Sequence, residues 1–333
     1  MIPAEMLAEL RRQKYLFVGK HKHSAVKICQ YAKTSMTGGA ACYKNKFYGI
    51  SSHRCLQCTT VPTCFNKCVF CWRAQTGEVT SDPDGIQITE WDDPEEIIDE
   101  LIKGQRVLLT GMGGHHNVDK KMWIESQTPK HAALSVLGEP IVYPRFTELL
   151  KAFHSRGIST FLVTAGSSPS SIERMMTGGA LPTQFYLSLA AYDKKSYDEY
   201  VRPKEADGWE RYLSSLDLMK KMKGRTRTVL RMTLMKDRNM NYPEKYAEII
   251  RRADPDYVEV KAYMAVGYSR KRVGMPGMPK YEEIQEFARQ LAEKTGYIYT
   301  DEHKPSRVIL LCRDEDVKES RFIDFSKIGE EQH

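Results

Sequence analysis

No uninterrupted apolar stretch in this chain approaches the roughly twenty residues that a helix needs to cross a bilayer. The opening segment, Met1-Ile2-Pro3-Ala4-Glu5, also lacks the apolar core of a secretion signal. These absences point away from membrane and secreted classes and predict a soluble, cytoplasmic protein. There is no internal repeat and no low-complexity tract. Strong charge of either sign is missing too: 50 Lys and Arg against 43 Asp and Glu give +7 over 333 residues. That balance is modest, but its sign suits a polyanionic partner. With 41% hydrophobic residues the chain can bury a substantial core, and its length fits one α/β barrel as readily as two domains.

Cysteine is scarce over most of the chain. Cys312 stands alone beside the apolar run Arg307-Val308-Ile309-Leu310-Leu311, where a thiol behaves as a small core hydrophobe. The other seven fall between residues 29 and 71, and three of them read Cys64-Phe65-Asn66-Lys67-Cys68-Val69-Phe70-Cys71. In a reducing compartment such clustering favours metal ligands over disulfides. A structural zinc site needs paired units that close a tetrahedron, whereas this triplet offers three thiolates on one tight loop without a pair. Three ligands suit a four-iron, four-sulfur cluster whose fourth iron stays open for a small molecule. Phe70 and Trp72 flank the last cysteine and would shield the loop from water. The triplet resembles the CxxxCxΦC signature of radical S-adenosylmethionine (SAM) enzymes, in which the open iron chelates the amino and carboxylate groups of SAM.

Upstream, Cys29, Cys42 and Cys55 are evenly spaced, too far apart for one loop but within reach of one centre if the segment wraps around it. A second three-cysteine cluster is the natural expectation. Cys58 competes with Cys55, and a zinc site from Cys29, Cys42, Cys55 and Cys58 is the alternative.

Periodicity predicts alternating elements. Asp93-Pro94-Glu95-Glu96 opens a helix running from 94 to about 110. Strands are expected at Leu56 to Thr60, 131 to 137, 158 to 164, 184 to 190, 226 to 234 and 257 to 262. Helices are expected at 145 to 156, 208 to 223 and 243 to 253. This alternation implies a parallel sheet curved toward a barrel, with chemistry at the C-terminal strand ends. The cysteine loop and Gly138-Glu139-Pro140 both occupy that edge. A carboxylate there, at Glu139, can reach the ammonium of a ligand whose amino acid moiety is chelated nearby. Cations collect around the first cysteine group (Arg11, Arg12, Lys14, Lys20, Lys22, Lys27, Lys33, Lys44 and Lys46), with Tyr15, Tyr31 and Tyr43 interleaved as for base stacking. The run from Tyr268 to Pro279, with Arg270, Lys271 and Arg272, reads as a flexible phosphate-contacting loop.

Several segments together resemble the tRNA 4-demethylwyosine synthases, radical SAM enzymes of wybutosine biosynthesis. They are the stretch from Ala41 to Ile50, Arg54 to Gln57, Cys68 to Arg73, Gly138-Glu139-Pro140, and Val258 to Arg270. The resemblance implies a partial (β/α)6 TIM-like barrel, with residues 1–55 as a cluster-binding extension and residues 56–333 as the barrel and its substrate-binding elements. It implies two [4Fe-4S] clusters, one on Cys64, Cys68 and Cys71 and one on Cys29, Cys42 and Cys55. Glu139 and Ser188 are the expected SAM contacts. The implied reaction is that of a carbon-carbon lyase, which joins pyruvate to 1-methylguanosine-37 of phenylalanine tRNA through a 5′-deoxyadenosyl radical. The second cluster can chelate pyruvate, and Lys44, two residues after Cys42, is the match for a lysine that forms a Schiff base with it. Lys46 is the competitor.

Two departures stand out. Where relatives tend to carry Thr-Asn-Gly, this chain has Thr164-Ala165-Gly166, so a side-chain contact to SAM is not carried over to that position. With 28 residues before Cys29, a flavodoxin-like segment is not expected, and a separate electron-donor protein is. The protein is expected to be a monomer. A non-catalytic metal-bearing tRNA-binding module, or a radical SAM enzyme acting on another substrate, would share parts of this pattern.

Overall fold

The computed structural model describes residues 2–75, 78 and 88–329 of the chain. One continuous sheet contains β1 Leu16–Val18, β2 Ser24–Val26, β3 Cys55–Thr59, β4 His131–Leu134, β5 Ser159–Thr164, β6 Gln184–Leu189, β7 Arg227–Met232, β8 Tyr257–Lys261, β9 Ile298–His303 and β10 Val308–Cys312. Strands β3 to β8 pair in parallel, each with the next. Parallel neighbours require crossovers, and the helices Pro94–Leu109, Phe146–Ser155, Pro169–Thr177, Gly208–Lys221 and Pro243–Ala253 lie in them. This is the expected six-stranded partial barrel. Antiparallel pairs extend both edges, β2 on β3 and β10 on β8, giving the order β1-β2-β3-β4-β5-β6-β7-β8-β10-β9.

Alternation along the strands divides two packing layers. Leu56, Cys58, Leu134, Leu162, Phe185, Leu187, Leu230 and Val258 pack outward beneath the crossover helices. Phe161, Tyr186, Val229, Tyr257 and Leu310 come from five different strands yet share one cluster with Tyr43, Phe47 and Tyr48. That cluster requires a curved sheet holding the short helix Tyr43–Tyr48 on its concave face. The N-terminal segment is thus the plug of the barrel as well as its first edge.

Most boundaries fall where the sequence places them. The helix Pro94–Leu109 opens with the Asp93 carboxylate accepting from the Glu95 N–H at 2.9 Å. The strand expected at 131 to 137 stops at Leu134: Ser135 N–H makes the last ladder bond to the Cys58 carbonyl at 3.1 Å, and Val136 N–H shares that carbonyl at 3.4 Å instead of continuing the ladder. The edge pairs β1–β2 and β9–β10 were not expected. Nor is the run from Tyr268 to Pro279 an open loop: Ser269–Arg272 is a helical turn, and Arg272 in it is committed to the cysteine loop. Among the described residues no helix is long and apolar enough to cross a membrane.

Candidate active site

Just beyond β3 the chain swings out at the C-terminal edge of the sheet. Cys64, Cys68 and Cys71 there line a partly open cavity of about 100 Å³ together with Asn66, Arg73 and Gly138. The Cys71 N–H donates to the Cys68 carbonyl at 3.2 Å, which keeps the last two thiols on one turn. Backbone donors of Lys67 and Val69 reach the carbonyls of Arg202 and Tyr200, both at 2.9 Å, and fasten the loop to the chain beyond β6. From the other side Arg272 donates to the carbonyls of Val69, Cys71 and Arg73 and pairs with Glu78 at 2.7 Å. Arg272 therefore shapes the cysteine loop and is not available as a phosphate contact. Trp72 stacks on Tyr15 with ring centroids 6.4 Å apart, which supplies the expected shielding.

Burial pushes the Cys64 thiol up to about 12, with the Glu139 carboxylate adding to the effect. Burial likewise raises Cys68. Thiols held neutral in this way need a cationic centre to become thiolates. Three of them on one cavity wall fit a cluster with an open iron.

Glu139 sits beside this cavity. Gly138 adopts φ +66°, and a Cβ there would collide with the carbonyl of Val61, so the turn lies directly on the chain entering the cysteine loop. Glu139 is 1% exposed. One carboxylate oxygen accepts from the Ala165 N–H at 2.9 Å, while the other is buried without a hydrogen-bond partner among the described residues. Burial raises its pKa to about 7, opposed by the nearby Thr164 hydroxyl and the Ala165 N–H. An orphaned carboxylate oxygen beside the thiols fits an incoming ammonium. Ala165 contributes through its backbone, so the loss of an asparagine side chain leaves this contact intact.

The second group of thiols meets at the barrel interior. Cys29 and Cys42 stand at the starts of the helices Gln30–Met36 and Tyr43–Tyr48, and Cys55 opens β3. Burial, then the neighbouring Cys29, push Cys42 up to about 11, and Cys55 is raised by burial with Cys29 and Cys42 both contributing. Cys58 is excluded from this group. Three residues along the strand from Cys55, it points to the opposite face, fully buried under the crossover helices.

Lys44 projects into the same interior. It is 8% exposed, with Nζ 4.3 Å from the Tyr186 ring centroid and 5.0 Å from that of Phe161. Burial lowers its pKa; Glu259 and Cys42 oppose that, and Arg231 adds to it. Lys46 faces away, donating to the Glu302 carbonyl at 2.6 Å and pairing with Asp301 at 2.8 Å. Ser188 lies on the inward face of β6, beside Arg231 of β7.

Two expectations about the basic N-terminal region do not hold. Tyr15 and Tyr43 are buried, the first donating to the Val136 carbonyl at 3.1 Å, so neither can stack on a base. Lys27 lies over the rings of Tyr15 and Trp72 at 4.5 and 4.7 Å. The sequence reading missed Arg231 and Glu259. Their signal was available: charged residues on the inward-facing register of otherwise apolar strands, Arg227-Thr-Val-Leu-Arg231-Met and Tyr257-Val-Glu259-Val-Lys261.

A parallel six-stranded partial barrel with three cysteines in the loop after its first parallel strand defines a radical SAM enzyme, and the Radical SAM superfamily model matches residues 58–250. A second family, described as wyosine base formation, matches residues 252–313. The S-adenosyl-L-methionine-dependent tRNA 4-demethylwyosine synthase of Pyrococcus abyssi is 47% identical over 317 residues, covering 94% of this chain and 90% of its own. That of Methanocaldococcus jannaschii is 39% identical over 313 residues, covering 93% and 96%. The solved structure of TYW1 with a lysine-pyruvate adduct bound superposes with a TM-score of 0.83 at 36% identity, over 98% of this chain and 99% of that one. The chain belongs to the tRNA 4-demethylwyosine synthase family. It is a SAM-dependent, tRNA-modifying enzyme whose family carries a four-iron cluster.

Proposed function

We propose that this enzyme joins pyruvate to 1-methylguanosine-37 of phenylalanine tRNA, with Lys44 carrying pyruvate as an imine. In this reading Cys64, Cys68 and Cys71 hold the SAM-binding cluster, and Cys29, Cys42 and Cys55 hold a second one. When bound, the first cluster and SAM supply a carbon radical able to take hydrogen from an unactivated methyl group. Glu139 receives the SAM ammonium on its free oxygen, and Ser188 faces the same interior from β6. The neutral Lys44 amine adds to the keto carbon of pyruvate and water leaves, fixing the keto acid within the barrel; holding the partners in place supplies much of the rate. A separate protein delivers the electron, and the enzyme works as a monomer in the cytoplasm.

The observation that carries this reading is the burial of the Lys44 ammonium on two aromatic rings beside Cys42 and Cys55, while Lys46 is spent on Asp301. Support comes from the lysine-pyruvate adduct in the similar TYW1 structure. The test is anaerobic reconstitution, an iron and sulfide count, and nucleoside analysis of modified tRNA. About eight irons per chain and a tricyclic base incorporating labelled pyruvate are expected. Four irons with full activity, or product without pyruvate carbon, would overturn it.

A further inference from the structure

The concave face of the barrel brings Lys44, Arg231 and Lys261 within electrostatic reach of one carboxylate, Glu259. Along the register, Ser188 on β6 lies beside Arg231 on β7, and Arg231 beside Glu259 on β8. This row is nearer the C-terminal strand ends than the row of Tyr186, Val229 and Tyr257. Lys44 Nζ rests on Tyr186, so Arg231 stands between it and the mouth of the barrel.

The neighbouring charged groups are already engaged. Glu259 accepts from the Tyr48 hydroxyl at 2.9 Å on one oxygen, its other oxygen being buried without a hydrogen-bond partner among the described residues, and Lys261 donates to the Ser306 carbonyl. Arg231 differs from Lys261: its Nε is enclosed with no hydrogen-bond partner among the described residues. A guanidinium cannot escape burial by losing its proton, and an unmade hydrogen bond there is costly. Its planar fork matches a carboxylate. Its charge acts on Lys44 and feels that of Arg73 in the cysteine loop.

We propose that Arg231 binds the carboxylate of the keto acid held by Lys44, and thereby selects 2-oxo acids over neutral carbonyl compounds. This rests on the Lys44 reading and extends it. In the imine the carboxylate is attached to the carbon bonded to the lysine nitrogen, so the anion must lie close to Lys44. Arg231 is half-buried on the mouth side of it, and its enclosed Nε has no partner among the described residues. Because a carboxylate has lone pairs on both oxygens, one oxygen remains open to other ligands.

The test compares equilibrium binding of labelled pyruvate and labelled pyruvamide, its neutral counterpart, to the reconstituted holoenzyme. The parent is expected to prefer pyruvate, and Arg231→Gln to lose that preference by on the order of tenfold to a hundredfold through weaker pyruvate binding. Arg231→Lys keeps the charge but not the fork and should fall between them. Iron content and melting temperature show whether each variant is intact, and the lysine variant decides the matter if the glutamine variant does not fold. A pyruvate preference unchanged in the variants overturns the assignment. Borohydride trapping on the same samples reports separately on Lys44: absence of an adduct in the parent would remove the imine, while the binding preference still decides the role of Arg231.

Discussion

The Lys44 ammonium lies 4.3 Å from the Tyr186 ring centroid, inside a barrel whose strand ends carry the cysteine loop. An aromatic face stabilises a cation but gives it no proton acceptor, and burial lowers the lysine's pKa below its ordinary 10.5. Imine formation needs the neutral amine. Trapping at saturating pyruvate should therefore rise with pH and level off below the range of an ordinary lysine. A rate still climbing through pH 10.5 would contradict the burial argument.

On the proposed reading the cysteines serve two separate clusters. Alanine at Cys64, Cys68 or Cys71 should abolish reductive cleavage of SAM. Alanine at Cys29, Cys42 or Cys55 should leave cleavage measurable, lower iron by about four per chain and stop formation of the tricyclic base. Assays of 5′-deoxyadenosine and iron on the six variants check this division.

Cys58→Ala should bind a full complement of iron, since its thiol points into the outer core. Its cost should fall on stability, about 1–2 kcal/mol for a truncated buried side chain, read by denaturant unfolding. Loss of four irons in this variant would show that strand alternation misassigned it.

Glu139 has a folded pKa of about 7 against 4.5 ordinarily. Between those values the folded protein keeps a proton that the unfolded chain has lost, so this group's contribution to stability falls as pH rises through that window. The sum is roughly 3 kcal/mol. In the cluster-free protein Glu139→Gln should remove that part of the pH dependence. Unfolding curves at pH 5 and pH 8 measure it, and identical slopes for parent and variant would count against the burial of an uncompensated carboxylate.

Gly138→Ala should be more damaging than its size suggests. At φ +66°, with the Val61 carbonyl in the way, the added methyl should cost at least about 2 kcal/mol and move Glu139 off the cavity. Weakened SAM binding alongside a lowered melting temperature is expected.

Much of this was legible in the sequence because two periodicities are strong. The spacing of the cysteine triplet marks the loop that lines the cavity, and alternating strand and helix patterns locate β3 to β8. The short edge strands were not legible: β1 and β2 span only Leu16–Val18 and Ser24–Val26, too brief for alternation to register. Arg272 and Tyr43 were misread for another reason. A cation or tyrosine in a polar stretch looks solvent-facing until the partners that bury it, here the carbonyls of the cysteine loop and the barrel interior, come from distant segments. Choosing between Cys55 and Cys58 needed the strand's facing, which spacing alone does not give.

The central claim is that a lysine inside the barrel, and not one at its rim, takes up pyruvate. Borohydride reduction of the reconstituted enzyme with labelled pyruvate, followed by peptide mapping, tests it most directly. The label should lie on Lys44 and vanish in Lys44→Arg, while Lys46→Ala retains it. Label on Lys46, or an adduct that persists in Lys44→Arg, would contradict the account.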